Sequence, residues 1–112
     1  MPWRNLGTVT LQESWSLTPE DSIGGEVFRL THQTTVDPSI NSCWLSRYFV
    51  APGDGARLAP WMRIYPSTEP QIINLPLPQN FLEAGQVIFS LQFKLRFPYY
   101  PVPWQITVEE FF

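Results

Sequence analysis

Residues 86–97, with the sequence QVIFSLQFKLRF, decide the fold class of this chain. The odd-numbered residues from Val87 to Phe97 are all apolar, and Ile88 is the one even-numbered residue that is not polar. Successive side chains of a strand point to opposite faces of a sheet, so this alternation predicts a strand with one face on a core and one in water. Twelve residues at about 3.3 Å each could span about 40 Å. We therefore expect an all-β protein.

The same pattern, read outward from this stretch, predicts seven or eight strands joined by proline-rich loops. Twelve prolines are about twice the average share, and proline interrupts helices and is excluded from central strands. Residues 43–50 have apolar side chains on both faces, which is typical of a central or doubly covered strand. Single helical turns are expected near Thr18 and over residues 78–85. The other predicted strands span residues 8–17, 26–33, 61–65, 71–75 and 104–112.

Short strands at this spacing favour a single-domain antiparallel β-sandwich or jelly roll over residues 1–112, with a small barrel as the alternative.

Charge and cysteine content narrow the possible partners and the cellular compartment. The net charge is −3 and the six arginines are dispersed, so no nucleic-acid partner is expected. Cys43 is the one cysteine, which excludes an intramolecular disulfide and favours a reducing compartment. The sequence opens with no apolar leader and contains no run of 18 apolar residues, so neither secretion nor a membrane span is expected.

The reactive side chains form no recognisable catalytic motif. A Cys–His–Asp set can be written from Cys43, His32 and Asp37, but no local motif supports it. We interpret His32 as a strand-end residue that hydrogen-bonds a backbone carbonyl, and Cys43 as a small core residue. One His and one Cys cannot supply a four-ligand zinc site, and Asp54 alone is far short of a calcium site.

The paired carboxylates also favour a structural interpretation. Glu109 and Glu110 are adjacent on a predicted strand and therefore point to opposite faces, so they cannot converge as a glycosidase pair. Glu20 and Asp21 suit the start of a short helical turn. The sequence therefore predicts no catalytic residue, no cofactor and no metal site, and it predicts that the protein is not an enzyme.

The aromatic residues are the remaining candidates for a function. The chain has five Trp, four Tyr and eight Phe, and such side chains anchor many protein interfaces. Alternation assigns Trp15 and Trp104 to the core, whereas proline-bounded and terminal aromatic residues are candidates for exposed contacts. The predicted partner-binding residues are Trp61, Tyr65, Tyr99, Tyr100, Phe111 and Phe112.

In size, strand pattern and proline-bounded loops, the whole chain resembles small β-sandwich virion proteins of tailed bacteriophages, such as capsid decoration (cement) proteins and baseplate or tail adaptor subunits. No single motif carries this resemblance. It implies a non-enzymatic structural subunit that acts through protein–protein contacts with itself, as a trimer or ring, and with other proteins of an assembly. It also implies a virion location after assembly in the host cytoplasm; without a virion, the chain would be cytoplasmic.

Two other function classes stay open at this stage. A carbohydrate-binding β-sandwich module would use Trp61, Tyr99 or Tyr100 as a stacking platform for sugar rings. A small hydrolase or isomerase would be built on His32 and Cys43, and substitution of His32 would then abolish its activity.

Overall fold

The computed structural model describes residues 2–12, 15–20, 22–33, 41–51, 55–58, 61–76, 88–97 and 103–111. Within these ranges the chain is all-β, as predicted, and contains no helix; residues 19 and 20 form a bend where a helical turn was expected. No described segment could cross a membrane as a helix. The strands are β1 (Trp3–Leu11), β2 (Trp15–Leu17), β3 (Val27–His32), β4 (Cys43–Ala51), β5 (Gly55–Leu58), β6 (Met62–Ile64), β7 (Gln71–Asn74), β8 (Ile88–Leu95) and β9 (Trp104–Phe111).

The strands form two antiparallel sheets. The first sheet has the order β1-β9-β3-β7, and the second has the order β2-β8-β4-β5, with β6 also paired to β4. The strand β6 pairs with the start of β4, from Cys43 to Leu45, and β5 pairs with its end, from Tyr48 to Ala51. The two short strands therefore share one edge, and each described sheet is four positions wide.

The pairing order is that of a jelly roll. The first strand pairs with the last (β1–β9), the second with the next to last (β2–β8), then β3 with β7, and β4 with β5 and β6. Such nesting results when a long antiparallel hairpin is folded so that successive pairs alternate between two sheets. The structure thus confirms the predicted antiparallel β-sandwich and gives it a jelly-roll strand order.

Strand β8 lies within residues 86–97, of which residues 86 and 87 are outside the described ranges. Its residues Leu91, Phe93 and Leu95 are buried, and Lys94 between them is exposed, as the alternation predicted. The strand ends at Leu95, however, and Phe97 is exposed. The backbone N–H of Arg96 donates to the carbonyl of Ser42, and that of Phe97 donates to Oδ1 of Asn41. The buried apolar face of the strand therefore ends at Leu95 and not at Phe97 as predicted.

The space between the sheets is filled by apolar side chains from both. Burial of this apolar surface is the main favourable contribution to folding. The buried cluster comprises Leu6, Val9, Leu11, Phe28, Leu30, Cys43, Leu45, Ile64, Leu75, Leu91, Phe93, Leu95, Trp104, Ile106 and Val108.

The prediction of one strand over residues 8–17 was wrong. The chain leaves the first sheet after Leu11 and enters the second at Trp15, and residues 13 and 14 lie outside the described ranges. The alternation of apolar residues continues in register across this crossing, and a sequence pattern cannot show a change of sheet. The side chain of Leu17, predicted to face the core, is 38% exposed. The strand β5 was also missed, since residues 51–55 were expected to form only a loop.

The first sheet is protected along the edge formed by β1. A bulge interrupts its pairing with β9 between Asn5 and Gly7, and Gly7 has a positive φ of 102°. An added Cβ on Gly7 would lie 2.8 Å from the side chain of Pro19, and the N–H of Glu20 donates to the carbonyl of Leu6. A bulge and a covering segment of this kind block the pairing of a free edge with another strand.

A buried carboxylate lies at one end of the core. Glu110 belongs to β9 and is fully buried. Its carboxylate accepts hydrogen bonds from the hydroxyl of Ser22 and from the backbone N–H groups of Ile23 and Gly25, both at 3.0 Å. Arg4 of β1 approaches the same carboxylate to 3.7 Å. These partners replace the water that a buried carboxylate loses.

A buried guanidinium from the second sheet completes this cluster. The Nη2 group of Arg47 donates to the carbonyl oxygens of Gly25 and Leu75, at 2.6 and 2.8 Å, and its guanidinium lies 5.3 Å from the centre of the Phe28 ring. Burial lowers the pKa of Arg47, and the negative charges of Glu110 and Glu26 oppose that shift. The backbone of Gly25 is therefore bonded to a charged residue of each sheet.

Replacement of Glu110 should lower the free energy of unfolding much more than replacement of its neighbour Glu109. The change Glu110→Ala would leave the Ser22 hydroxyl and two N–H groups without their acceptor, and it would remove one of the two negative charges that act on Arg47. Removal of one partner from a buried charged cluster costs about 3–5 kcal/mol. We expect a loss of that size in urea unfolding. The matched control Glu109→Ala removes a carboxylate that is partly exposed, and it should cost much less; equal losses would contradict this assignment.

Candidate binding surfaces

The one histidine has a structural arrangement within the described part of the chain. His32 ends β3, as predicted, but its partners are side chains and not a backbone carbonyl. Its Nδ1 accepts a hydrogen bond from Nε1 of Trp104 at 2.9 Å, so Nε2 carries the proton and donates to Oε1 of Gln71 at 2.7 Å. The ring also stacks on Trp104 at a centroid distance of 5.6 Å. The prediction erred because His32 faces inward, where these two side chains meet it.

The other groups considered for chemistry do not assemble around His32. Cys43 lies in the second sheet and is fully buried, and burial raises the pKa of its thiol, so it belongs to the core as predicted. Among the described residues, no group of three His, Cys, Asp or Glu side chains could hold a metal ion. Asp37 and Asp54 lie outside the described ranges.

The paired carboxylates Glu109 and Glu110 point to opposite faces, as predicted. Glu110 faces the core, whereas Glu109 lies on the outer face and accepts two hydrogen bonds from Arg29, at 2.9 and 2.8 Å. The hydrogen bond to Glu109 raises the pKa of Arg29. This bidentate geometry fixes the plane of the guanidinium on the outer face of the first sheet.

Apolar and aromatic side chains surround this ion pair. We define the Trp3 surface as Trp3, Arg29, Ile72, Glu109 and Phe111. Trp3 is paired in register with Phe111, and their rings meet edge to face at 5.3 Å. The guanidinium of Arg29 lies 4.6 Å from the centre of the Trp3 ring, and Arg29 is in register with Ile72 on the next strand. Phe111 is 46% exposed and Ile72 is 60% exposed.

A second aromatic surface lies on the outer face of the other sheet. We define the Arg63 surface as Trp44, Trp61, Arg63 and Tyr65. Arg63 is in register with Trp44, and its guanidinium lies 5.1 Å from the Trp44 ring and 5.3 Å from the Tyr65 ring. Its Nε and Nη2 donate to the hydroxyl of Ser42 at 3.2 and 3.1 Å. Trp61 and Tyr65 are 40% and 49% exposed.

The structure separates the predicted partner-binding residues. Trp61 and Tyr65 belong to the Arg63 surface, and Phe111 belongs to the Trp3 surface on the opposite sheet, so the described members are exposed but not contiguous. Tyr99, Tyr100 and Phe112 lie outside the described ranges.

Sequence reasoning missed the partners of these exposed aromatic residues. Trp3 was not assigned to a strand, and Ile72 was not weighed as an exposed residue. The alternation of residues 71–74 contains a signal, because Ile72 and Ile73 must point to opposite faces. Pairing of residue 3 with residue 111 has no local signal, since it depends on the register of strands from opposite ends of the chain.

Comparison with protein-family models, with curated proteins and with solved structures gives no match to this chain. The functional assignment therefore depends on the two surfaces and on the fold that positions them.

The hydrogen bonds of His32 predict how stability depends on pH. Burial lowers the pKa of His32, while its hydrogen bond to Gln71 opposes this shift. The unfolded chain, with a histidine pKa of about 6.5, therefore binds more protons than the folded protein just below that pH. Stability should rise with pH in this window and be lost as the pH falls below about 6.5.

Urea unfolding of the wild type and of His32→Gln at pH values from 5 to 7.5 measures this contribution. The wild type should lose more stability than the variant on acidification, because glutamine does not titrate. Identical pH dependence in both proteins would show that His32 does not contribute.

Proposed function

We propose that this protein is a non-catalytic assembly subunit that acts through protein–protein contacts, and more specifically a virion component of the capsid-decoration or tail and baseplate kind. The observation that carries the proposal is the Trp3 surface. An aromatic pair, an aliphatic side chain and a bidentate ion pair lie together there on the outer face of the first sheet.

The Trp3 surface has the composition and rigidity of an interface anchor. Tryptophan and arginine are enriched among residues that dominate binding energy, whereas large contiguous apolar patches are uncommon on the surfaces of monomers. Arg29 is held by Glu109 and by the Trp3 ring, so its side chain loses little further freedom on binding. Low ordering cost of this kind favours affinity.

The edges of the first sheet favour association through a face. The bulge at Gly7 and the segment at Pro19 and Glu20 protect β1. At the other edge, β7 has four residues and lies between Pro70 and Pro76. Proline lacks the N–H that edge pairing requires, and short strands offer few hydrogen bonds. A partner of this sheet is therefore expected on its outer face, where the Trp3 surface lies.

The virion part of the proposal is supported by the jelly-roll strand order. Jelly rolls form capsid domains of viruses and also lectin domains. The fold extends over 41 × 31 × 19 Å, so each broad face has the dimensions for a standard interface of roughly 800 Å² per partner. A thin domain with exposed aromatic side chains on both broad faces suits stacking on other subunits or insertion between them.

Self-association should depend on Ile72. We expect light scattering across a concentration series to show an oligomer, and Ile72→Gln to raise its dissociation constant about tenfold, which corresponds to the loss of one anchor of the interface. The matched control Leu17→Gln changes an exposed aliphatic side chain of the second sheet and should have little effect. Both positions are exposed, so the fold should tolerate both changes.

Two results would count against the proposal. A protein that stays monomeric at high concentration and binds no virion component would not be an assembly subunit. An oligomer that is weakened equally by Ile72→Gln and Leu17→Gln would exclude the Trp3 surface as the contact.

A carbohydrate-binding function is the second candidate, and one observation favours it. Trp61 and Tyr65 are both exposed and, by alternation along β6, lie on the same side of that strand as Arg63. Aromatic rings exposed in this way could stack against sugar rings. One neighbour of the Tyr65 ring is already the guanidinium of Arg63, which reduces the surface left for a sugar.

Sugar binding would change the fluorescence of Trp61. A glycan array should then give hits that are lost in Trp61→Ala, with Phe97→Ala as a matched control for another exposed aromatic residue. An array without hits, together with unchanged fluorescence during sugar titration, would eliminate this candidate.

A further inference from the structure

Three cations come together at one end of the second sheet: Arg63 from β6, and the near neighbours Lys94 and Arg96 from the C-terminal end of β8 and just beyond it. Lys94 and Arg63 both lie in register with Trp44, on either side of it, and Arg96 follows Lys94 by two residues. The backbone N–H of Arg96 donates to the carbonyl of Ser42, whose hydroxyl accepts from Arg63. All three cations are exposed. We call Arg63, Lys94 and Arg96 the basic face.

The cations of the basic face differ from those of the first sheet. Arg4 and Arg29 form ion pairs with Glu20, Glu109 and Glu110. Within the described ranges, none of the ion pairs between a cation and a carboxylate involves a residue of the basic face. Arg63 is instead positioned by aromatic rings and a hydroxyl, which orient a guanidinium without neutralising its charge. A site of this kind attracts negative charge.

The net charge of the whole chain favours a second copy as the negatively charged partner of the basic face. The net charge is −3. Subtraction of the three positive charges of the basic face leaves −6 for the rest of the chain. Every copy of the protein therefore carries the basic face in its described part, while the rest of the chain is acidic in net charge. Among the described carboxylates, Glu20, Glu26 and Glu69 are exposed, and Glu20 also pairs with Arg4.

We infer that the basic face binds the acidic surface of a second copy of this chain, so that copies associate head to tail. This inference deepens the proposed assembly function and rests on it. The two contacting surfaces differ, so the contact is heterologous, and repetition of such a contact gives closed rings or open filaments. The residue types fit a protein partner, because tryptophan, tyrosine and arginine are enriched where interfaces gain most of their energy.

The dependence of self-association on salt gives the first test. Between 0.1 and 1 M NaCl the screening length falls from about 10 Å to about 3 Å. A contact between a basic and an acidic surface should weaken as salt rises. Self-association through the apolar Trp3 surface alone should not weaken, because salt screens charges but does not weaken contacts between apolar side chains. Light scattering or sedimentation of the intact protein measures both cases.

Two double variants of equal net charge give the second test. Lys94→Gln with Arg96→Gln removes two charges from the basic face, and Gln12→Glu with Gln33→Glu adds two negative charges elsewhere at exposed positions. Both variants have a net charge of −5. The first should raise the dissociation constant about tenfold. The second should leave association unchanged or strengthen it, since it makes the remainder more acidic.

Each outcome decides the inference. An oligomer that is insensitive to salt and responds alike to both double variants would overturn it, while the proposed assembly through the Trp3 surface would stand. A monomer at every concentration would overturn both. A labelled single-stranded oligonucleotide that binds the basic face more tightly than a second copy does would also overturn it, in favour of a nucleic-acid site.

Discussion

The structure depends on the backbone of Gly25, which is held between charged residues of the two sheets. Glu110 reaches it from β9 and Arg47 from β4, and each lies in the buried region between the sheets. A Cβ at Gly25 would lie 2.7 Å from the Glu110 side chain, so this close approach requires glycine. Buried charges are expensive, and here the cost is offset by hydrogen bonds to Ser22, to backbone N–H groups and to the carbonyl of Leu75. The cluster thereby joins both sheets to the loops at one end of the sandwich.

The Trp3 surface follows from this buried cluster. A one-residue change in strand register would move every side chain to the other face. Because Glu110 is held on the inner face, its neighbours Glu109 and Phe111 must both face outward. Their outward position brings Phe111 to Trp3 and Glu109 to Arg29. The interior hydrogen bonds of one residue therefore determine which groups a partner would meet on the opposite side of the strand.

Local alternation predicted much of the fold, and long-range pairing accounts for what it missed. The strands around Phe28, Leu91 and Ile106 were predicted because each carries its own period-two pattern, and the strand around Leu45 was predicted from apolar side chains on both of its faces. The change of sheet between Leu11 and Trp15 was missed because the pattern continues across it. The exposure of Trp61 and Tyr65 was anticipated from their positions beside prolines. The gathering of Arg63, Lys94 and Arg96 was not, since it arises from the pairing of β4 with both β6 and β8.

The nested strand order also has a consequence for the order of events in folding. The Trp3–Phe111 pair joins residues from opposite ends of the described chain, so its contact has the greatest loop-closure cost of any in the first sheet. Non-local pairing of this kind slows folding, because the entropy is lost before the contact can compensate for it. Until β9 has paired with β1 and β3, neither the aromatic pair nor the Arg29–Glu109 ion pair can form. An incompletely synthesised or partly folded chain would therefore lack the Trp3 surface, and under the proposed assembly function only finished subunits could be incorporated.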